Sequence, residues 1–221
     1  MRSYKKQGAP EILVGWVRSR RPWEDFVQNS IDYESVKRGL VQEQSHLCCY
    51  CESTADDLDS HVEHYEPRSR NQNRTYDYAN LACSCNGGIG RDRHCGHKKG
   101  SDYDPRLFVN PSTEDSGKLF SYNIEGHICP NLNNSHGDTQ RVDYMVRTLN
   151  LDCARLSGMR RSHGRGLVQI IDGFITANAQ DQIEEMARFH LTPDDDGKLQ
   201  PFYSLSLQLY SQIGQRIVEE R

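Results

Sequence analysis

What the sequence lacks narrows its class before any motif is read. It has no apolar run near the about 20 residues that a membrane-spanning helix needs, and its mean hydropathy is −0.81 over 221 residues. Behind the basic, polar opening from Met1 to Pro10 stands no hydrophobic stretch of the kind that marks a secretory signal. A cytoplasmic protein with no membrane partner is therefore expected. There is no surplus of positive charge either: 27 Lys and Arg face 31 Asp and Glu, a net charge of −4. That excludes a protein that coats nucleic acid indiscriminately, since such affinity comes from basic side chains neutralising phosphates. Internal repeats and low-complexity tracts are also absent, which excludes solenoids and linker-like chains.

Aliphatic residues are scarce in the middle third, Ser45 to about Pro111, which is rich instead in Cys, His, Asn, Gly and Arg. Such a segment can hardly fold by burial alone, so a structural metal is expected to supply what the core does not. The chain divides into residues 1–44, an N-terminal helical extension; 45–111, the metal-bearing core; and 112–221, a mainly helical region packed on that core. In the first part a short segment runs from Ile12 to Val17. The spacing of Val36, Leu40 and Val41 predicts a helix from Tyr33 to Gln44. In the third, a strand pair is expected around Phe120 to Ile128 with a turn at Glu125-Gly126. Helices are expected over Arg141 to Leu149 and Leu167 to Ile175, continuing through Ile183, Met186 and Ala187. A last helix carries Leu205, Leu209, Ile213 and Ile217.

Charge is unevenly spread. From Arg68 to Lys99 seven basic residues stand against two acidic ones, whereas Asp172 to Asp196 holds seven acidic residues and only Arg188. The first segment can hold a phosphodiester locally, with Arg68, Arg70, Arg74, Lys98 and Lys99 as the nucleic-acid contacts. The second suits a solvated face or a protein partner.

Six of the eight cysteines fall between Cys48 and Cys95, a clustering that favours zinc over disulfides. Cys48-Cys49-Tyr50-Cys51 presents two thiolates at Cys-x-x-Cys spacing, with Cys49 left to pack. Cys85 and Cys95 are expected to complete the tetrahedron across the glycine-rich loop 87–90, with Cys83 in reserve. His94 and His97 read as surface or phosphate-contacting residues, and Cys129 and Cys153 as isolated and inert.

His61-Val62-Glu63-His64-Tyr65-Glu66-Pro67 sets a carboxylate beside a histidine and ends in a proline that would stop a strand. Neighbours on a strand face opposite sides, so Glu63 can face a cation while His64 faces a water. Asn80 and Asn86 add amides, one to fix a loop and one as an oxygen ligand. Carboxylate, amide and water suit Mg²⁺ or Mn²⁺. His61 reads as a strand histidine or as a residue behind the ligands.

The order Cys-x-x-Cys, His-x-Glu-His-x-x-Pro, Asn-Leu, Cys-Asn and Lys-Gly resembles the zinc-bearing branch of the HNH endonucleases. More narrowly, Cys48 to Glu52, His61 to Pro67 and His94 to Gly100 look like the PtuB nucleases of Septu-type and retron-associated anti-phage systems. The resemblance implies an α+β fold: a zinc-stabilised ββα-metal core with flanking helices at both ends. It implies His64 as general base, Glu63 and Asn86 as ligands of the catalytic ion, Asn80 as the central asparagine, and a PtuA-like ATPase as partner. The metal-ligand position carries Glu where Asp is commoner, and residues 87–93 interrupt the second cysteine pair. The expected activity is hydrolysis of nucleic acid, DNA favoured over RNA. The competing readings are an RNA-cleaving HNH nuclease and a non-catalytic zinc module that binds nucleic acid or protein.

Overall fold

In the computed structural model residues 1–220 are described. Three helices open the chain: α1 Glu11–Ser19, α2 Trp23–Gln28 and α3 Ser30–Glu43. The segment at Ile12 to Val17 is thus the middle of α1, which buries Leu13 and Trp16. The helix expected from Tyr33 begins three residues earlier, because Asn29 accepts a hydrogen bond from the Asp32 amide and caps it.

An antiparallel ribbon follows, β1 Ser60–His64 and β2 Leu81–Cys85, in a register that sets Glu63 opposite Ala82 and His64 opposite Leu81. The short helix α4, Cys95–Lys99, packs on β2. A small hairpin, β3 Phe120–Tyr122 and β4 Ile128–Pro130, turns at Gly126, whose φ is +79°. Only glycine fits that position, because a Cβ there would lie 2.2 Å from the Ser157 carbonyl oxygen.

The rest is helical: α5 His136–Leu149, α6 Ala154–Thr176, α7 Gln180–Leu191 and α8 Tyr203–Glu219. Ser135 caps α5 through the Asp138 amide, which moves its start ahead of the apolar stripe. The Ile183–Ala187 stretch is a separate helix rather than a continuation of α6, since the chain turns at Ala177 to Ala179. The Leu205/Leu207/Leu209 alternation lies in a helix, broken at Ser211 with φ +50°. No helix among the described residues is long and apolar enough to cross a membrane.

Two hydrophobic clusters hold these elements. The larger joins α1–α3, the Cys48–Cys51 turn, both ribbons, α5 and the start of α6; it therefore draws on all three stretches of the sequence. The smaller is built from α6, α7 and α8 with Leu47. The helical region also grips the cysteine turn through polar contacts, for the buried Glu52 carboxylate accepts from the Ser204 amide and hydroxyl, both at 2.7 Å. Arg160, 1% exposed, ties the hairpin to the α5–α6 corner by donating to the Gly126 and Leu151 carbonyls. The acidic stretch is partly neutralised within the chain, where Glu184 pairs with Arg188 and Arg216.

Candidate active site

The ribbon and α4 bring two sets of side chains together. In the first, the sulfurs of Cys48, Cys51, Cys85 and Cys95 all lie within 4.8 Å of one another, and Cys51 and Cys85 are 3.7 Å apart. A tetrahedral zinc with Zn–S bonds of about 2.3 Å needs sulfurs about 3.8 Å apart, so the four thiols fit that ion. The four buried cysteines can hold zinc, and they clip three pieces together: the turn before β1, the end of β2 and the start of α4. Ser53 Oγ lies 3.0 Å from the Cys51 sulfur. His94, expected on the surface or against a phosphate, is 3% exposed, with its Nδ1 2.6 Å from the Asp92 carbonyl oxygen. Cys83 lies in the core away from the cluster, where burial pushes its thiol up to about 12. Cys153 packs 3.8 Å from His94 Nδ1, and Cys129 is half-buried.

The interruption at 87–93 is accommodated as a tethered loop. Asn150 at the end of α5 donates to the carbonyls of Arg91 and Arg93, and the Arg155 amide donates to Asp92. The C-terminal helices therefore brace the approach to α4.

The second set lines a cleft of about 1130 Å³ whose floor includes His61, Glu63, His64 and His97. Residues two apart on a strand share a face, so His61 stands beside Glu63, with Nε2 to Oε2 at 3.7 Å. His97 on α4 stacks on His61, ring centres 4.2 Å apart and planes within 8°. Asn86 holds both rings: its side-chain oxygen lies 3.2 Å from His61 Nδ1 and its backbone oxygen 2.7 Å from His97 Nδ1. Carbonyl oxygens only accept, so each Nδ1 carries a proton and Nε2 is the nitrogen that faces the cleft. Burial and the neighbouring His61 hold the His97 pKa below its ordinary value.

Glu63 is 7% exposed. Burial opposes its ionisation, but His61 and Lys99 outweigh that and keep its pKa below the usual carboxylate range. Oε1 is committed to Lys99 at 2.9 Å and to the Tyr50 hydroxyl at 3.2 Å. Oε2 is left facing His61. Against these two atoms lies Gly96, where a Cβ would come within 2.5 Å of Glu63 Oε2 and 2.7 Å of His61 Nε2.

His64 sits on the other face of β1, with its ring edge-on to Trp23 at 4.5 Å. Its Nε2 donates to the Thr75 carbonyl at 2.9 Å, leaving the Nδ1 lone pair free. Burial lowers its pKa to about 4, so the ring is neutral at pH 7. Asn80 fixes the intervening loop at both ends: its oxygen accepts from the Glu66 amide at 2.8 Å, and its Nδ2 donates to the Glu66 and Arg74 carbonyls.

Three expectations change on this geometry. Asn86, expected as a ligand through its amide oxygen, has that oxygen against His61 Nδ1 and its backbone oxygen against His97 Nδ1, a position that also fixes both rings. Lys99 is 2% exposed, and its three protons go to Glu63 and to the His64 and Tyr65 carbonyls, so none remains for a phosphate. Arg74 is engaged by Glu66 and Asp77 and braces its loop. Arg68 lines the cleft, while Arg70 and Lys98 are exposed. His61, read as a strand histidine or a residue behind the ligands, and His97, read as a surface or phosphate-contacting residue, both line the cleft beside Glu63. The alternation His61-x-Glu63 on a strand was the available signal for the first; the second, which depends on where α4 packs against the ribbon, had none.

No family model matches the chain. It is similar to a protein of Escherichia coli named "Retron Ec83 putative HNH endonuclease", 22% identical over 204 aligned residues that cover 73% of this chain and 78% of the relative.

Proposed function

We propose that this chain is a metal-dependent nuclease of the HNH type, with a ββα-metal core formed by β1, β2 and α4. The observation that carries this reading is one cleft lined by the buried Glu63 carboxylate, the His61 imidazole 3.7 Å from it with His97 stacked behind, and the neutral His64 next to them. A divalent ion would be held by Glu63 and His61, whose Oε2 and Nε2 lie 3.7 Å apart, and His97 would join them by turning its ring in from α4; when bound, the ion would supply the positive charge that offsets charge developing on the phosphate and the leaving oxygen. Two imidazoles favour Mn²⁺ or another transition ion over Mg²⁺. Asn86 sets the ring orientations and Lys99 holds Glu63 ionised. His64 accepts the proton of the attacking water at Nδ1, while its Nε2–H stays anchored on Thr75. Arg68, with Arg70 and Lys98, receives the nucleic-acid backbone. DNA is the favoured substrate.

Cleavage of labelled DNA should appear with Mn²⁺ or Mg²⁺ and vanish with EDTA at a concentration that leaves the zinc in place. Cutting that persists in EDTA removes the metal reading, and preferential cutting of RNA selects the RNA-cleaving alternative. Binding without cutting under every condition selects the non-catalytic module. Within the centre, Asn86→Ala is expected to weaken Mn²⁺ binding about 10- to 100-fold, the usual cost of losing a group that orients ligands, and His97→Ala to weaken it further. Unchanged Mn²⁺ affinity in His97→Ala, measured by electron paramagnetic resonance titration, is incompatible with the ligand set. Gly96→Ala should reduce Mn²⁺ affinity as well, because its methyl group would intrude between Glu63 and His61.

The relative's name, together with the resemblance to PtuB nucleases, supports work in anti-phage defence beside a PtuA-like ATPase. Co-expression with the ATPase of the same locus should yield a stable complex on size exclusion. Separate elution of the two would remove that partner.

A further inference from the structure

The cleft has two walls from distant parts of the sequence. One is the loop after β1, which contributes Arg68; the other is the corner between α1 and α2, which contributes Arg20, Trp23 and Glu24. The walls touch. Arg68 Nη1 lies 3.0 Å from the Glu24 carboxylate and its guanidinium sits over the Trp23 ring, while the Tyr76 hydroxyl donates to the Arg21 and Pro22 carbonyls. With the walls bridged at hydrogen-bond distance by exposed side chains, the cleft is too narrow for a duplex, which is several times wider than one strand; opening the Glu24–Arg68 bridge frees only a strand's width. A single strand fits.

The bridge itself has the chemistry of a placeholder. The Glu24 and Arg68 side chains are 66% and 38% exposed, and such exposed pairs hold only weakly. A carboxylate on a cleft arginine occupies the position a phosphate oxygen would take, and the phosphate makes the stronger, forked contact. Arg20 is exposed, lines the same cleft, and has no partner for its guanidinium among the described residues.

We infer that the α1–α2 corner is a phosphate-binding wall for a single nucleic-acid strand: a backbone phosphate displaces Glu24 from Arg68, and Arg20 contacts the strand from the opposite side. The inference rests on the nuclease reading of the same cleft and adds its substrate class. Because the contacts are to phosphates, DNA and RNA strands are expected to bind alike.

The test is fluorescence anisotropy with a short labelled oligonucleotide, as single-stranded DNA, single-stranded RNA and blunt duplex DNA. It uses the full, zinc-loaded chain carrying His64→Ala so that the strand stays intact. Single strands should bind at least tenfold more tightly than the duplex. Adding Arg20→Ala should weaken single-strand binding about fivefold to tenfold and flatten its salt dependence by roughly 0.7 in log–log slope. Adding Glu24→Gln should tighten binding roughly twofold to fivefold. Circular dichroism checks that each variant is folded. Duplex binding as tight as single-strand binding, an unchanged salt slope in Arg20→Ala, or weaker binding in Glu24→Gln each overturns the inference. If the wild type cuts nothing yet Arg20→Ala and Glu24→Gln shift binding in opposite directions, the nuclease reading fails and the strand-binding wall stands. If it cuts normally and neither variant changes binding, only the wall is lost.

Discussion

Cys85→Ser is expected to unfold the middle of this protein. Between Ser45 and Pro111 the chain offers one five-residue ribbon, one five-residue helix and long irregular connections, and the four sulfurs are what hold the turn at Cys48, the end of β2 and the start of α4 at fixed distances. Losing a metal ligand is among the few single changes that cost on the order of 5 kcal/mol, equivalent to a fall of about 10–20 °C in melting temperature for a chain of this length. Bound zinc, measured on the purified protein, should fall from one per chain towards none. Cys83→Ala supplies the contrast. That thiol is equally buried but outside the cluster, so its loss should leave the zinc content intact and cost only the small penalty of a trimmed core side chain. Equal zinc loss in both variants would mean that the pairing of cysteines is wrong.

His64→Ala is expected to slow strand cleavage by roughly 100- to 10,000-fold, the usual contribution of a general base. The physical case is the ring's state rather than its presence. Trp23 and the surrounding apolar atoms remove water from the imidazole and hold it neutral, and the Thr75 carbonyl fixes the proton on Nε2, so Nδ1 is the one basic atom available. The side chains proposed to hold the ion sit on the other face of β1 and on α4, which makes the expected loss one of rate and not of metal. Mn²⁺ affinity in His64→Ala should therefore match the wild type. A variant that loses both rate and metal affinity would place His64 among the ligands instead.

How far the sequence discloses this site follows from how local each signal is. Cys48 and Cys51 announce themselves by spacing, and Cys85 and Cys95 follow because a tetrahedron needs two more sulfurs near a flexible glycine loop. Glu63 and His64 are adjacent, so their opposed directions follow from strand geometry alone. His97 and Asn86 are different. Their roles depend on where α4 lands against the ribbon, and that landing is set by the four-cysteine cluster and by the tether from Asn150 and Arg155 to the 87–93 loop. No pattern within residues 86–97 contains that information. Lys99 is misleading for a related reason: a lysine in a basic run reads as a phosphate contact, and only the fold buries it against Glu63 and two carbonyls.

The helical region shows the same division. Leu167 to Ile175 carries a stripe that periodicity finds, whereas the part of α6 before Leu167 holds the glycines Gly158, Gly164 and Gly166, which argue against a helix on propensity. Tertiary contacts override that preference: the buried Arg160 earns its place by satisfying carbonyls on two other elements. Trp23 and Arg20, on the opposite side of the cleft from Arg68, lie some forty residues or more upstream in sequence, and nothing local announces that they meet the loop after β1.

The most direct test of the central claim is single-turnover cleavage of a labelled single strand by the wild type and His64→Ala, each carrying one zinc and saturated with Mn²⁺. Cleavage by the wild type that stops with EDTA and slows at least about 100-fold in His64→Ala, at equal Mn²⁺ and strand affinity, is the predicted result. Equal rates from the two proteins would contradict it.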